Sequence, residues 1–186
     1  MQQQSCALPA RTTLVVMGVS GSGKSEISQA VATALGWRHI EADHFHPPEN
    51  VARRRAGIPL SDEDRRHWLD ALCEQMLAAQ AAGECFVLAC SALKRAYRDR
   101  IREQAGDVCF VFLDGDFELI QKRLHQRVGH YMQPGLLDSQ FRALEKPQAD
   151  ETDVIRLPIT EPVHDMVTQA LAALQARTSS PLHPAL

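Results

Sequence analysis

The sequence has no long hydrophobic run. Its 186 residues include no uninterrupted apolar segment that approaches the roughly 20 residues needed to span a bilayer. The first residues, Met1 to Arg11, also lack the charged stretch followed by an apolar core that marks a secretory signal. We therefore expect a soluble protein of the cytoplasm with no membrane partner.

The sequence also lacks a strong net charge. The formal value of -3 gives no general attraction to nucleic acid, although a local basic patch would still bind phosphate. The five cysteines are odd in number and show neither C-x-x-C nor zinc-ligand spacing, which predicts reduced thiols. Nucleic acid is therefore not expected as the principal partner, and a disulfide framework is not expected either.

The chain has the length of one ordinary domain, and 45% of its residues are apolar. Residues 1–10, with a glutamine run, and residues 177–186, rich in Ser and Pro, are predicted to be flexible tails. Residues 11–176 then form the folded domain.

Short, unbroken apolar runs alternate with helical patterns along this domain. Strands are predicted at Thr12–Met17, His39–Ala42, Phe86–Ala89, Val108–Leu113 and Val154–Leu157. Helices are predicted from Ser61 to about Gly83, after Asp116, and from about Pro162. This alternation predicts an α/β fold in three layers, with a central parallel sheet of about five strands and helices on both faces.

One motif carries a specific chemistry. The segment Gly18-Val19-Ser20-Gly21-Ser22-Gly23-Lys24-Ser25 matches G-x-x-x-x-G-K-[ST], follows an apolar strand and precedes a helical segment. Glycines let the backbone N–H groups point inward at the positive end of the helix, which forms an anion cradle. Lys24 is expected to reach the β and γ phosphates of a nucleoside triphosphate, and the Ser25 hydroxyl to bind Mg²⁺.

A phosphoryl acceptor needs a second pocket that faces the γ-phosphate. Asp43 follows the second predicted strand and is the candidate base, although a helix cap or a strand-end turn residue is the alternative reading. Arg53, Arg54 and Arg55 place three cations near the same edge, where an anionic acceptor or a solvated helix face would account for them. A polar, basic loop with Ser91 and Lys94 follows the third predicted strand.

Two later arginines stand four residues apart, just before a Gly-His-Tyr-Met segment and a Pro-Gly pair. Arg123 and Arg127 would share one helix face, which predicts a mobile lid over approximately residues 123–136 or else a basic solvent face. Asp114 ends a strand as a magnesium-binding aspartate would, but we leave it out of the site, and we read Asp116 as a helix cap.

Taken together, these residues resemble the gluconate kinases, P-loop sugar-acid kinases related to shikimate kinase and the nucleoside monophosphate kinases. The resemblance runs from about Leu14 to Leu174. Beyond the phosphate loop it rests on five stretches: Asp43…His46-Pro47…Asn50, Gly57-x-Pro59-Leu60-x-Asp62-x-Asp64-Arg65-x-x-Trp68-Leu69, Cys90-Ser91-Ala92-Leu93-Lys94-x-x-Tyr97-Arg98-Asp99, His130-x-Met132 with Ser139-Gln140-Phe141, and Leu144-Glu145 with Asp150-Glu151-Thr152-Asp153.

The resemblance implies ATP- and Mg²⁺-dependent phosphorylation of D-gluconate at its 6-hydroxyl, and it suggests a homodimer. It also implies that Asp43 orients or deprotonates that hydroxyl. It assigns the acceptor pocket to His46, Arg54, Arg65, Ser91, Lys94 and Arg98, and the lid arginines to Arg123 and Arg127.

The chain departs from the family pattern at Glu41-Ala42, where an Asp-Gly or Glu-Gly pair is usual, at His67 in place of a common proline, and at Arg54, where lysine is frequent. A kinase of similar fold for another small anionic acceptor therefore stays open. So does a nucleotide-dependent regulatory protein that performs no transfer.

Overall fold

A computed structural model describes residues 12–105, 107–126 and 134–179. The strands are β1 (Thr13–Met17), β2 (Arg38–Glu41), β3 (Phe86–Ala89), β4 (Val108–Asp114) and β5 (Val154–Pro158). The helices are α1 (Lys24–Leu35), α2 (Pro48–Arg55), α3 (Asp62–Ala81), α4 (Arg95–Ala105), α5 (Phe117–Gln126), α6 (Pro134–Ala143) and α7 (Val163–Ser179). A 3-10 turn covers Ala42–Phe45.

The five strands form one sheet in the order β2-β3-β1-β4-β5, and every neighbouring pair is parallel. β1 lies at the centre, where Val15 is aligned with Leu88 of β3 and with Phe110 of β4. The predicted α/β class is confirmed, and each predicted strand agrees with the structure to within one residue at either end.

Alternate residues of β1 enter two separate hydrophobic cores. Leu14 and Val16 pack on one face with residues of α1, α5, α6 and α7, whereas Val15 and Met17 pack on the other face with residues of α3 and α4. Because both faces are covered, Leu14–Met17 form an unbroken apolar run instead of alternating between polar and apolar residues. The predicted three-layer arrangement is confirmed.

Two helices, α3 and α5, begin with the caps that the sequence predicts. The Ser61 hydroxyl accepts a hydrogen bond from the Asp64 N–H, and the Asp64 carboxylate accepts one from the Ser61 N–H, so the capping box is formed. Asp116 caps α5 by accepting from the Leu119 N–H at 2.7 Å. None of the described helices is long and apolar enough to cross a membrane.

The last helix extends past the predicted end of the domain. α7 continues to Ser179, three residues beyond the predicted end of the domain at residue 176, and Arg177 donates a hydrogen bond to the Thr152 carbonyl. The predicted tail at 1–10 and the rest of the one at 177–186 lie outside the described residues.

A buried ion pair links α4 to the segment before β5. The Arg98 guanidinium donates two hydrogen bonds of 2.7 Å to the two carboxylate oxygens of Glu151, and both side chains are 1% exposed. Arg102 adds a bond of 2.9 Å to Glu151. The hydrogen bonds from Arg98 outweigh the effect of burial and lower the pKa of Glu151 to about 2.

Replacing Glu151 by Gln would leave the Arg98 charge buried without its partner. We expect the free energy of unfolding to fall by about 3 kcal/mol at pH 7. Because the folded pKa of Glu151 lies below its unfolded value, this stabilisation is present above about pH 4.5 and is lost as the pH falls toward 2. Urea denaturation between pH 7 and pH 3 measures the difference between the two proteins.

Glu103→Gln is the matched control, since Glu103 lies on the same helix α4 with a side chain that is 66% exposed. It should change the free energy of unfolding by less than about 0.5 kcal/mol. If the difference in the free energy of unfolding between wild type and Glu151→Gln stayed constant between pH 7 and pH 3, the lowered pKa assigned to Glu151 would be contradicted.

Candidate functional site

The phosphate loop joins β1 to α1 and is shaped by its glycines. Gly21 has φ +83°, and a Cβ there would lie 2.8 Å from Leu124 Cγ on α5. Gly23 has φ +98° and precedes α1 without a side chain that caps the first N–H groups of that helix. The positive end of a twelve-residue helix therefore opens onto the loop, as an anion site requires.

Lys24 lies across this loop. Its ammonium group donates to the carbonyl of Val19 at 3.0 Å. Burial lowers the pKa of Lys24, and the neighbouring Asp43 carboxylate opposes that shift. A cation that already contacts the loop backbone, beside an uncapped helix start, fits a chain of phosphate groups at this position.

One cavity joins the phosphate loop to the carboxyl ends of β2 and β3. Seven residues predicted for the site line it: Ser20, Lys24, Asp43, His46, Arg54, Arg65 and Ser91. They come from the phosphate loop, the 3-10 turn, α2, α3 and the loop after β3. The structure thus brings together residues that are up to 71 positions apart, from Ser20 to Ser91.

Asp43 is held by contacts on both sides. Its Oδ2 accepts from Arg54 at 2.8 Å, and its Oδ1 lies 3.8 Å from His46 Nε2. Burial alone would raise the pKa of Asp43, but the hydrogen bond and charge of Arg54 outweigh it, so the pKa lies below the ordinary value. Asp43 is therefore ionised at neutral pH.

The 3-10 turn that carries Asp43 is fixed by Trp68 of α3. Trp68 Nε1 donates to the Ala42 carbonyl at 2.7 Å, and the Ala42 methyl is buried in the same core cluster as Trp68. Ala42 departs from the family pattern, but its methyl group does not line the cavity. The substitution therefore leaves the cavity wall unchanged.

His46 lies flat against Trp68, with ring centroids 4.6 Å apart and an interplanar angle of 14°. Its side chain is 5% exposed, and its Nδ1 has no hydrogen-bond partner among the described residues. Burial, with the positive charge of Arg54, lowers the pKa of His46 to about 4. At neutral pH the ring is therefore uncharged.

Two residues predicted for the acceptor pocket and the lid, Lys94 and Arg123, do not line this cavity. The Lys94 ammonium is paired with both carboxylate oxygens of Asp62, at 2.7 and 2.8 Å. Arg123 donates to the carbonyl of Ile159, which follows β5. Arg127 lies outside the described residues.

Arg98 was predicted to contact the acceptor, and the structure gives it another position. Its guanidinium is fully buried and donates to Glu151 and, at 3.2 Å each, to the carbonyls of Ala92 and Leu93. Arg98 holds the loop after β3, including Ala92 with φ +41°, instead of reaching into the cavity.

Several cavity residues were not predicted: Leu60, Trp68, Leu93, Tyr97, Leu136, Ser139, Gln140 and Ala143. One of them contacts the phosphate loop directly, because Gln140 Oε1 accepts from the Ser20 N–H at 2.6 Å. A signal was present for two others, since Trp68 lies three residues after Arg65 on α3 and Tyr97 lies three residues after Lys94. Among the described residues, no cluster of three or more metal-ligating side chains occurs.

Comparison with known proteins agrees with this geometry. A family model described as an AAA domain matches residues 14–154. The thermosensitive gluconokinase of Escherichia coli (strain K12) is 43% identical over 164 residues, which cover 88% of this chain and 88% of that protein. The chain belongs to the gluconokinase family. The gluconokinase of Gluconobacter oxydans (strain 621H) is 48% identical over 145 residues, which cover 77% of this chain and 80% of that protein.

A solved structure extends the likeness to the backbone. The crystal structure of a gluconokinase from Sinorhizobium meliloti 1021 has a TM-score of 0.82 and 43% identity, and the match covers 91% of this chain and 94% of that one. The gluconokinase family membership and the fold thus rest on independent comparisons, one of sequence and one of structure.

The positive charge of Arg54 predicts how its replacement changes the pKa values of Asp43 and His46. Replacing Arg54 by Met removes a positive charge that lowers the pKa of both Asp43 and His46, so both values should rise. NMR titration of the His46 ring, assigned by its loss in His46→Gln, should give a midpoint near pH 4 in the wild type and a higher one in Arg54→Met.

Arg55→Met removes the same charge from the exposed neighbouring position on α2 and should leave the His46 midpoint unchanged. A wild-type midpoint near the ordinary histidine value, or equal shifts in the two variants, would refute this account of the site.

Proposed function

We propose that this chain transfers the γ-phosphoryl group of ATP to the 6-hydroxyl of D-gluconate, which yields 6-phosphogluconate and ADP. The observation that carries the proposal is the single cavity lined by Lys24 and Ser20 of the phosphate loop and by Asp43, Arg54 and Arg65. Donor and acceptor groups therefore share one enclosed space, as direct transfer requires. Relatives 43% and 48% identical to this chain are named gluconokinases.

The donor half is assigned to residues 18–25. The N–H groups of this loop other than that of Ser20, which donates to Gln140, and those of the first turn of α1 would bind the phosphate oxygens. Lys24 would neutralise the charge that develops on the transferred group. Mg²⁺ would be held by the Ser25 hydroxyl, which lies in the first turn of α1. When bound, the metal would supply positive charge to the phosphate chain.

In the acceptor half, Asp43 is assigned to the reacting hydroxyl. Arg54 occupies Oδ2, which leaves Oδ1 to accept the hydrogen bond from the hydroxyl group. A carboxylate with a depressed pKa is a weak base, and a loose transition state needs little proton removal early. Orientation of the attacking oxygen is therefore the main role that we assign to Asp43.

Arg65 is assigned to the carboxylate of gluconate. Within the described residues its contacts are long, 3.5 Å to Tyr97 Oη and 3.9 Å to Asp62 Oδ1, so its guanidinium retains donors for a ligand. Guanidinium groups bind carboxylates in a bidentate manner. His46 and the Ser91 hydroxyl are assigned to the hydroxyl groups of the sugar acid.

The lid role of Arg123 and Arg127 is part of the same proposal. α5 packs against the phosphate loop, since Leu124 is the neighbour that a side chain at Gly21 would strike. An arginine one residue before Leu124 is thus close to the donor half, and release from Ile159 would let Arg123 turn toward the transferred group.

We also expect the chain to act in the cytoplasm and to form a homodimer.

Asp43→Asn tests the role of the carboxylate. We expect kcat to fall by about 10²- to 10⁴-fold, because the amide cannot accept from the hydroxyl as an anion does. A coupled assay of ADP release across pH 6 to 9 measures it. If Asp43 mainly orients the hydroxyl, the variant keeps the wild-type pH profile at a lower rate.

Asp70→Asn is the control for this substitution, since Asp70 on α3 pairs with Arg100 and its side chain is 41% exposed. It should turn over gluconate at the wild-type rate. A loss of less than about threefold in Asp43→Asn would remove Asp43 from the reaction.

An acceptor panel combined with Arg65→Met tests the substrate. The wild type should phosphorylate gluconate, and neither shikimate nor AMP. Loss of a charge-assisted bidentate contact should raise the KM for gluconate at least tenfold and leave the KM for ATP within about twofold.

Arg66→Met changes the adjacent arginine, which pairs with Glu63 and is 66% exposed, and should leave both KM values unchanged. Turnover of another acid and none of gluconate would replace the proposed substrate. Binding of ATP with no turnover of any acceptor would favour a regulatory protein.

A further inference from the structure

A side chain on α6 binds the phosphate loop at two points. Gln140 Oε1 accepts from the Ser20 N–H at 2.6 Å, and Gln140 Nε2 donates to Ser20 Oγ at 2.9 Å. Both ends of one amide group are thus used on one residue, 120 positions away in the sequence. Such a paired contact fixes orientation as well as distance.

The contact involves the phosphate loop, because Ser20 belongs to it. Ser20 is the third residue of the loop from Gly18 to Ser25, whose backbone N–H groups form the anion cradle. Ser20 and Gln140 both line the cavity that holds Lys24 and Asp43. Gln140 therefore contacts the donor loop from inside the reaction space.

The end of α6 is tied to the acceptor side. The Glu145 N–H donates to the Leu93 carbonyl at 2.9 Å, and the Glu145 carboxylate accepts from the Arg95 N–H at 2.6 Å. Leu93 and Arg95 belong to the segment after β3 that carries Ser91. Thus α6, with the residues that follow it, bridges the phosphate loop and the acceptor loop.

The body of α6 is well anchored without Gln140. Leu137 is 3% exposed in the core, and Phe141 packs edge-on against Phe117 with ring centroids 5.2 Å apart. The cavity side chain Gln140 is only partly buried, so its loss should have little effect on stability. Transfer is more sensitive, because a displacement of about 1 Å between reacting groups can cost 10²-fold in rate.

We propose that Gln140 is a positioning residue, which holds the phosphate loop at a fixed distance from α6 and from the acceptor loop after β3, to which α6 is joined. The proposal rests on the proposed function. It assigns to Gln140 an effect on the transfer step and not on the binding of either substrate alone.

Gln140→Met tests this role, since Met has a similar length and neither donates nor accepts as the amide does. We expect kcat for gluconate phosphorylation to fall about tenfold or more. The dissociation constant of a non-hydrolysable ATP analogue should stay within about threefold of the wild type, and the thermal midpoint should be nearly unchanged. Asp138→Asn, at an exposed position on the same helix, is the control and should behave as the wild type.

A double-mutant cycle with Ser20→Ala identifies the contact itself. Ser20→Ala removes the hydroxyl that accepts from Gln140 and keeps the backbone N–H. It should lower kcat severalfold in the wild type and have no further effect in Gln140→Met, because the contact is already lost.

Additive losses in kcat would overturn the proposal, as would an unchanged kcat in Gln140→Met. A fall in kcat that follows a matching loss of thermal stability would also overturn it, since that result describes a structural role. The wild-type protein in the same assay reports on the proposed function separately: with no turnover of gluconate by wild type, the function fails before the role of Gln140 is tested.

Discussion

The parallel pairing of β1 between β3 and β4 is the constraint on which the site depends. Because the strands run in one direction, the phosphate loop, the turn after β2 and the loop after β3 all emerge at the same edge of the sheet. β1 is buried on both faces, so a shift of its register would move apolar side chains out of both cores at once. The donor loop and the acceptor residues are therefore brought together by backbone pairing before any side chain of the site makes a contact.

Polar contacts between distant segments then fix each loop at that edge. Trp68 of α3 holds the turn that carries Asp43 through the Ala42 carbonyl, and Arg98 of α4 holds the loop after β3 through the carbonyls of Ala92 and Leu93. Arg98 depends in turn on Glu151, because a guanidinium that is fully buried needs a paired carboxylate. The loop after β3, which carries Ser91, is thus supported by the segment before β5, whose Glu151 does not line the cavity.

The strands and the phosphate loop were predictable because their signals are local. An unbroken run such as Phe86–Ala89 needs only its own residues to be recognised, and the loop motif spans eight positions. The helices α2 and α4 were not predicted, because α2 buries only Asn50 and α4 is rich in charge, so neither shows a clear apolar face. The position of Arg98 could not be read from the sequence either, since its partner Glu151 lies 53 residues later. A cation beside a predicted acceptor loop looks the same in the sequence whether it lines the cavity or supports the loop from behind.

The electrostatics of the site follow from the same arrangement. A triphosphate in the loop would bring negative charge toward Asp43, which is already ionised, and this repulsion would work against a close approach of the acceptor. The positive charges of Lys24 and Arg54 both stabilise that carboxylate, since both lower its pKa. Arg54 therefore has two effects that cannot be separated: it keeps Asp43 deprotonated, and it offsets part of the repulsion between Asp43 and the phosphate chain. The same stabilisation makes Asp43 a weaker base, because a carboxylate stabilised in this way takes up a proton less readily. Under the proposed function, such a site would favour precise placement of the attacking oxygen over early removal of its proton, which is the division of roles that a loose phosphoryl-transfer transition state requires.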